Sequence, residues 1–204
     1  IQVILMGILQ GLTEFIPVSS SGHLVLAQHF FGIGDNEYIV FELFMHLGTL
    51  LAVLVFFRKT LWELIKSVFS WGNTVNLEQH RKNRTLIFYL IISTVVTGVI
   101  YLLFGTYEEA IFAMPMVVAF FLIVTGIIVF VSDYFIDKGI PASNIGFLRS
   151  VIIGIGQGIA IIPGISRSGT TIACSLASGM KRKDAAQYSF LLSIPAILAG
   201  ALSK

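Results

Sequence analysis

Disulfide scaffolds and cysteine-built zinc sites are excluded at once, because the 204 residues hold one cysteine, Cys174, set in an apolar run. Charge is scarce as well. Asp, Glu, Lys and Arg make up 12% of the chain and the net charge is +2, against about 25% charged residues in soluble domains. So slight a positive balance leaves no footprint for a nucleic-acid partner. The opening stretch lacks a basic n-region and a small-residue cleavage site, so a signal peptide is not expected there. Apolar residues dominate instead: 56% of the chain is hydrophobic, with a mean hydropathy of +0.90. The class is an all-α, polytopic membrane protein. Residues 85–104 and 111–132 carry no charge, and each reaches the roughly 20 residues needed to cross a hydrocarbon core. Residues 38–57 and 185–202 are long enough too, although the first carries Glu42 and His46 and the second Pro195. About four full spans are expected.

Each end of the chain also holds an apolar run broken by Pro, Gly and Ser, and the two runs match at an offset of 147 positions. Gln10, Gly11, Ser19, Ser21 and Gly22 recur as Gln157, Gly158, Ser166, Ser168 and Gly169. Continued without a gap, the match carries residues 7–52 onto 154–199. Equivalent loops differ in charge: residues 32–37 have no Lys or Arg, whereas 179–184 have Lys181, Arg182 and Lys183. Short loops rich in Lys and Arg stay cytoplasmic, so the two copies are expected to point opposite ways across the membrane. Loop 58–84, with Arg58, Lys59, Lys66, Arg81, Lys82 and Arg84, and loop 133–149, with Lys138 and Arg149, are then inside, and 106–109 outside.

That walk leaves segment 1–31 starting and ending on the outer side and 150–178 on the inner side. Each is expected to be a re-entrant helical hairpin whose arms are too short to span. Residues 1–204 read as one membrane domain: hairpin 1–31 with span 38–57, two central spans within 85–132, and the inverted hairpin 150–178 with span 185–202. Residues 61–71 read as an amphipathic helix on the inner surface. Irregular backbone at membrane depth is tolerated only against protein or a wet cavity, so paired breaks point to a binding site where they meet, near mid-bilayer. In each hairpin the second arm starts at the tip, capped from 19–22 or 166–169, and two helix N-termini facing one centre make an anion site.

The tips match in scaffold and differ in reactive groups. Copy one has Glu14, Ser20 and His23 where copy two has Ile161, Arg167 and Thr170. An ionisable group at membrane depth is by default functional. Arg167 offers a planar, permanently charged fork suited to phosphate oxygens; its alternative is a structural ion pair with Glu14 or Glu42. Ser20 reads equally as a helix cap, and His23 as a hydrogen-bonded buried imidazole. Glu42 and His46, at i and i+4, share a helix face and suit a metal or an internal hydrogen bond. Gly7 and Gly11 suggest close helix packing.

Gln10-Gly-Leu-Thr-Glu14, followed by Pro17-Val-Ser-Ser-Ser-Gly-His23, and the run Pro163-Gly-Ile-Ser-Arg-Ser-Gly-Thr-Thr171 make the chain resemble the undecaprenyl-diphosphate phosphatases, integral membrane phosphatases of the bacitracin-resistance type. The resemblance covers nearly the whole chain. It implies removal of the terminal phosphate from a lipid diphosphate that carries cell-wall precursors, in a bacterial cytoplasmic membrane, with a divalent cation, Mg or Ca, as helper and a homodimer as a candidate assembly. It implies that Arg167 binds the diphosphate with Ser166, Ser168, Gly169, Thr171 and the first tip's Ser19, Ser21 and Gly22. Ser20 is the implied nucleophile and His23 its base or a proton donor. Glu14 is implied to bind the metal or activate a nucleophile, with Gln10 and Glu42 as further metal candidates. Gln10 stands where many members have Glu, and an amide is the weaker ligand. Family members are longer at the C-terminus, and 85–104 has no second-copy counterpart before Lys204, so two further spans are expected. The competing function is a polyprenyl-phosphate transporter or flippase, since inverted repeats with broken helices also build alternating-access carriers. The Ser20 and His23 pair beside Arg167 favours an enzyme.

Overall fold

The computed structural model describes residues 2–32, 35–70 and 76–203, without side-chain detail at 35–43, 109, 202 and 203. Among these residues the regular elements are helices: α1 (Gln2–Phe15), α2 (Ser20–Phe31), α3 (Asp35–Phe56), α4 (Arg58–Phe69), α5 (Leu77–Phe104), α6 (Glu108–Phe112), α7 (Pro115–Ser132), α8 (Phe147–Ile159), α9 (Arg167–Ala177) and α10 (Arg182–Ser203). Helices α1 and α2 pack side by side, as do α8 and α9. At about 1.5 Å per residue these arms are roughly 16–21 Å long, short of the roughly 30 Å hydrocarbon core.

Two helices among the described residues, Leu77–Tyr107 and Pro115–Ser132, are long and apolar enough to cross a membrane, and the pair Phe44–Phe56 and Arg58–Phe69, bent by 72°, adds a third if taken as one span. The remaining expected span, 185–202, is helical within α10, but its polar residues are turned inward: Ser189 and Ser193 are buried. The central spans differ from expectation at their starts. Helix α7 begins at Pro115, not at 111, because proline suits the first turn, where an N–H has no helical acceptor. Helix α5 begins at Leu77, ahead of 85, because its first turns are tied to α4.

That tie is polar. Asn83 Nδ2 donates to Ser67 Oγ at 2.9 Å, and His80 Nδ1 meets the same hydroxyl at 2.9 Å. Arg84 donates from Nε to Ser67 O at 2.7 Å and from Nη2 to Ser70 O at 2.8 Å. Helix α4 starts three residues before the expected 61, and Trp71 lies outside the described residues. It buries Leu64 and Ser67 and exposes Trp62, Ile65, Val68 and Phe69, the amphipathic pattern of an interfacial helix.

Two buried clusters carry the offset of the sequence match. Met6 and Met45 belong to one, with Leu24. Ile153 and Leu192, each 147 positions on, belong to the other, with Ile145, Leu176, Met180 and Tyr188. Close packing falls at Gly154 and Gly158 on α8, not at Gly7 and Gly11. A Cβ on Gly154 would stand 2.7 Å from Ser93 O, and one on Gly158 2.5 Å from Ile100 Cδ1, while nothing lies within 4 Å of a Cβ on Gly7 or Gly11. The reason is the partner: α5 runs along α8, and no described helix covers that face of α1. Small residues admit the α5 backbone, and hydroxyls then bridge the pair: Ser93 Oγ donates to Ser150 O at 2.7 Å and Thr97 Oγ1 contacts Gly154 O at 3.1 Å.

Helix α7 lies against both α2 and α9 and fixes the second tip. Thr125 Oγ1 donates to Gly164 O at 2.7 Å and accepts from Ser166 N at 2.9 Å. Thr125→Val keeps the shape but strands a buried carbonyl and a buried N–H, at about 1–3 kcal/mol each. The expected result is a clearly lowered melting temperature in detergent, with Thr125→Ser close to the wild type.

Candidate active site

The tips meet because two matched glycines let them. A Cβ on Gly22 would lie 3.0 Å from Gly164 Cα, and one on Gly169 3.2 Å from Pro17 O, so each tip is seated on the other's backbone. The caps follow the sequence reading in kind. Ser19 Oγ accepts from Gly22 N at 3.4 Å and Ser166 Oγ from Gly169 N at 3.0 Å. Ser19 holds the left-handed φ of +68°, a conformation that a serine adopts only where its surroundings dictate it. Since caps satisfy one donor each, the N–H groups of Ser20, Ser21, Arg167 and Ser168 have no acceptor within their own helices. Two positive helix ends therefore face the junction.

Glu14, at the end of α1, is the hub. Its Oε1 pairs with Arg167 Nη2. Its Oε2 accepts from Ser20 Oγ at 2.5 Å and from Gln10 Nε2 at 3.1 Å. The carboxylate is 8% exposed and Ser20 likewise. Ser20 is thus not the cap; Ser19 takes that part, and the Ser20 hydroxyl is left to point at a carboxylate. The ion-pair alternative for Arg167 is realised with Glu14, and the pair also lines a cavity of about 310 Å³ with Ser19, Ser20, Ser21, Ser166 and Ser168. A guanidinium on a cavity wall is placed to meet a ligand as well as its partner.

Four expected site residues are placed otherwise. His23 is not on the cavity wall; its Nδ1 must donate to Ser19 O, at 2.8 Å, because a carbonyl only accepts. That bond braces the tip and leaves Ser20 to Glu14. Thr171 is fully buried, bonded to Arg167 O at 2.8 Å and Ser189 Oγ at 2.6 Å, and so ties α9 to α10 rather than reaching the cavity. Gly22 and Gly169 act through close packing. The Glu42 side chain lies outside the described residues.

Other wall residues were read differently from sequence, His46 as a partner of Glu42 and Gln157 only as a repeat match. His46 stands on the cavity wall with Glu14 and interacts electrostatically with it. Gln157 lines the cavity, donates to Thr97 Oγ1 at 3.1 Å, and keeps its buried Oε1 without a partner among the described residues; Gln10 Oε1 is in the same condition. The recurrence of Gln10 as Gln157 was the available signal. Tyr101 and Glu108, which no motif marks, also line the cavity.

A metal finds little here. Among the described residues no three His, Cys, Asp or Glu side chains come together, and both oxygens of Glu14 are engaged, one by a cation. The described donors do not fit a protein-built divalent site.

A family model described as bacitracin resistance protein BacA matches residues 3–204. The chain belongs to the BacA family. Relatives in it include the undecaprenyl-diphosphatase of Methanobrevibacter smithii, 44% identical over 97% of this chain and 73% of its own length. That of Desulforapulum autotrophicum is also 44% identical, over 96% of this chain and 73% of its own. Undecaprenyl-diphosphatase 1 of Shouchella clausii is 37% identical, over 97% and 71%. The BacA match spans both tips, so the hub of Glu14, Ser20 and Arg167 falls within the matched residues.

Proposed function

We propose that this protein hydrolyses undecaprenyl diphosphate to undecaprenyl phosphate and inorganic phosphate, recycling a lipid carrier of cell-wall synthesis and so conferring bacitracin resistance. The observation that carries the mechanism is one contiguous set: the Ser20 hydroxyl on the Glu14 carboxylate, that carboxylate on the Arg167 guanidinium, between two helix N-termini. Phosphoryl transfer needs positioned donors for the charge on the equatorial oxygens and little else. Arg167 and the free N–H groups of α2 and α9 bind the terminal phosphate, and Arg167 exchanges part of its contact with Glu14 for the ligand. The released carboxylate is then the base: Ser20 Oγ attacks phosphorus in line, its proton passes to Glu14 Oε2, the bridging P–O bond breaks, and undecaprenyl phosphate leaves with that proton, which restores the Glu14 carboxylate. Water hydrolyses the phosphoserine with Glu14 again as base. His23 is a positioning residue through Ser19 O.

The same reading takes the fold as an inverted repeat of two re-entrant hairpins in a multi-pass protein of the cytoplasmic membrane, with four spans in this chain. The offset shared by the two buried clusters and the tip-on-tip contact support it. That Tyr101 and Glu108, at the loop expected outside, line the same cavity as the tips supports an outward mouth.

Purified protein in detergent is expected to release phosphate from undecaprenyl diphosphate. No release, with Mg or Ca supplied, returns the chain to the transporter reading. With label in the terminal phosphate, a rapid acid quench is expected to trap labelled protein in the wild type and none in Ser20→Ala; near-normal turnover by Ser20→Ala excludes the phosphoserine.

A further inference from the structure

A second charged feature lies away from the tips, on the side expected inside. Helix α7, long and apolar enough to cross a membrane, ends at Ser132, and the loop that follows it is stitched to the loop between α9 and α10. Ile140 N donates to Gly179 O at 3.2 Å and Lys181 N to Ile140 O at 3.0 Å, which pairs Ile140 with Met180 in a parallel bridge. The bridge brings together two lysines distant in sequence. The Lys138 stem lies across Gly179, where a Cβ would stand 2.9 Å from Lys138 Cδ, and a Cβ on Gly139 would stand 3.9 Å from Lys181 Cε. Each lysine thus crosses the other loop at a glycine. Both glycines hold left-handed backbone, with φ of +72° and +83°, a conformation that a side chain there would strain.

Residues 133–149 and 181–184 carry five cations and three carboxylates, and the carboxylates are already engaged. Asp133 pairs with Arg182 Nη1 at 2.8 Å, Asp137 accepts from Gly139 N at 2.7 Å and from Arg182 N at 3.3 Å, and Asp184 accepts from Ala142 N at 3.4 Å. Among the described residues Lys138, Arg149, Lys181 and Lys183 have no ion-pair partner, and all four are exposed. Like charges gathered at one bridge repel, and an anion between them turns the repulsion into attraction. Apolar side chains accompany the charge: Tyr134 and Ile136 in the loop, and Phe147 and Leu148 where it enters α8, are exposed. Such residues directly beyond a crossing helix suit the boundary of the lipid layer, where the anions at hand are headgroup phosphates.

We propose that Lys138 and Lys181 hold the headgroup phosphate of an anionic lipid, with Arg149 and Lys183 adding to the field. Basic clusters just beyond a membrane helix attract anionic lipid in general; here the bridge adds a fixed geometry, since it sets the two stems across one another. The site shares no wall residue with the tip cavity and does not depend on the phosphatase reading. A bound lipid pins the end of α7 to the start of α10, and with them the base of the second hairpin. Its effect is accordingly on stability.

Purified protein in detergent at low ionic strength is expected to melt several degrees higher with added phosphatidylglycerol than with phosphatidylcholine. Lys138→Gln with Lys181→Gln is expected to lose most of that difference, and Lys138→Arg with Lys181→Arg to keep it, because either cation meets a phosphate. Lys59→Gln with Arg81→Gln removes the same charge from exposed positions on α4 and α5 and is expected to leave the difference intact. Native mass spectrometry of the wild type is expected to retain phosphatidylglycerol in preference to phosphatidylcholine from an equimolar mixture, a readout that needs no variant. Equal retention of the two lipids, an unchanged difference in the Lys138 and Lys181 glutamine variant, or an equal loss in the Lys59 and Arg81 variant overturns the site. So does inorganic phosphate that, without lipid, raises the melting temperature as far as phosphatidylglycerol does, since the ligand is then a free anion.

Discussion

Arg167→Ala is expected to lower phosphate release by at least a factor of about 10³, the usual scale for removing a guanidinium that stabilises a transferring phosphoryl group. Arg167→Lys is expected to fail nearly as badly, because a point charge on a flexible stem does not replace a planar fork. The complication is structural. Arg167 neutralises the buried Glu14 carboxylate, and removing one member of a buried pair costs about 3–5 kcal/mol. Loss of activity in Arg167→Ala alone is therefore open to two explanations. The rate per folded molecule separates them: with the folded fraction of Arg167→Ala read from its melting curve in detergent, phosphate release is expected to stay at least about 10³ below the wild type after correction. A corrected rate near that of the wild type would mean that Arg167 is an architectural partner and not a ligand for the diphosphate.

The breaks between α1 and α2 and between α8 and α9 were legible in the sequence because the membrane makes a hard rule. Pro17 and Ser19–Ser21 cannot continue a spanning helix through lipid, and recurrence of the pattern at 163–169 shows that the break is built in. Glu14 and Arg167 were legible for the same reason, as charges in apolar surroundings. What spacing did not supply was direction. His23 follows Ser20 by three residues, which puts the two near one another on a helix but says nothing of which way the imidazole turns; the Ser19 carbonyl captures it. Thr171 sits in the motif, yet α10 brings Ser189 to its hydroxyl, a contact between residues 18 apart that no local pattern encodes. His46 was marked only for its spacing from Glu42 and Gln157 only as the repeat of Gln10, and their place on the wall was hidden for a related reason. Each is an ordinary polar residue on its own helix and becomes part of a wall only when α3 and α8 are brought to the tips. The glycines mark the same boundary. Gly7 with Gly11 and Gly154 with Gly158 are equivalent in sequence, but only the second pair has a described helix against it.

Glu14→Gln is the second decisive substitution. Glutamine keeps the length and planarity of glutamate and can still meet Ser20, Gln10 and Arg167, so folding is expected to survive. An amide oxygen cannot take the serine proton, however, and loss of a general base typically costs a factor of about 10²–10⁴. Turnover is expected to fall by that amount, and the acid-quenched phosphoprotein to vanish with it, since the step that forms Oγ–P is the step that needs the base. Restoring a carboxylate next door is not expected to help. In Gln10→Glu with Glu14→Gln the charge returns one helical turn back, at a residue whose side chain reaches Glu14 and makes no hydrogen bond to Ser20 among the described residues. A rescued rate in that double variant would show that the site needs a carboxylate's charge and not its position on the serine, and would take the role of base away from Glu14.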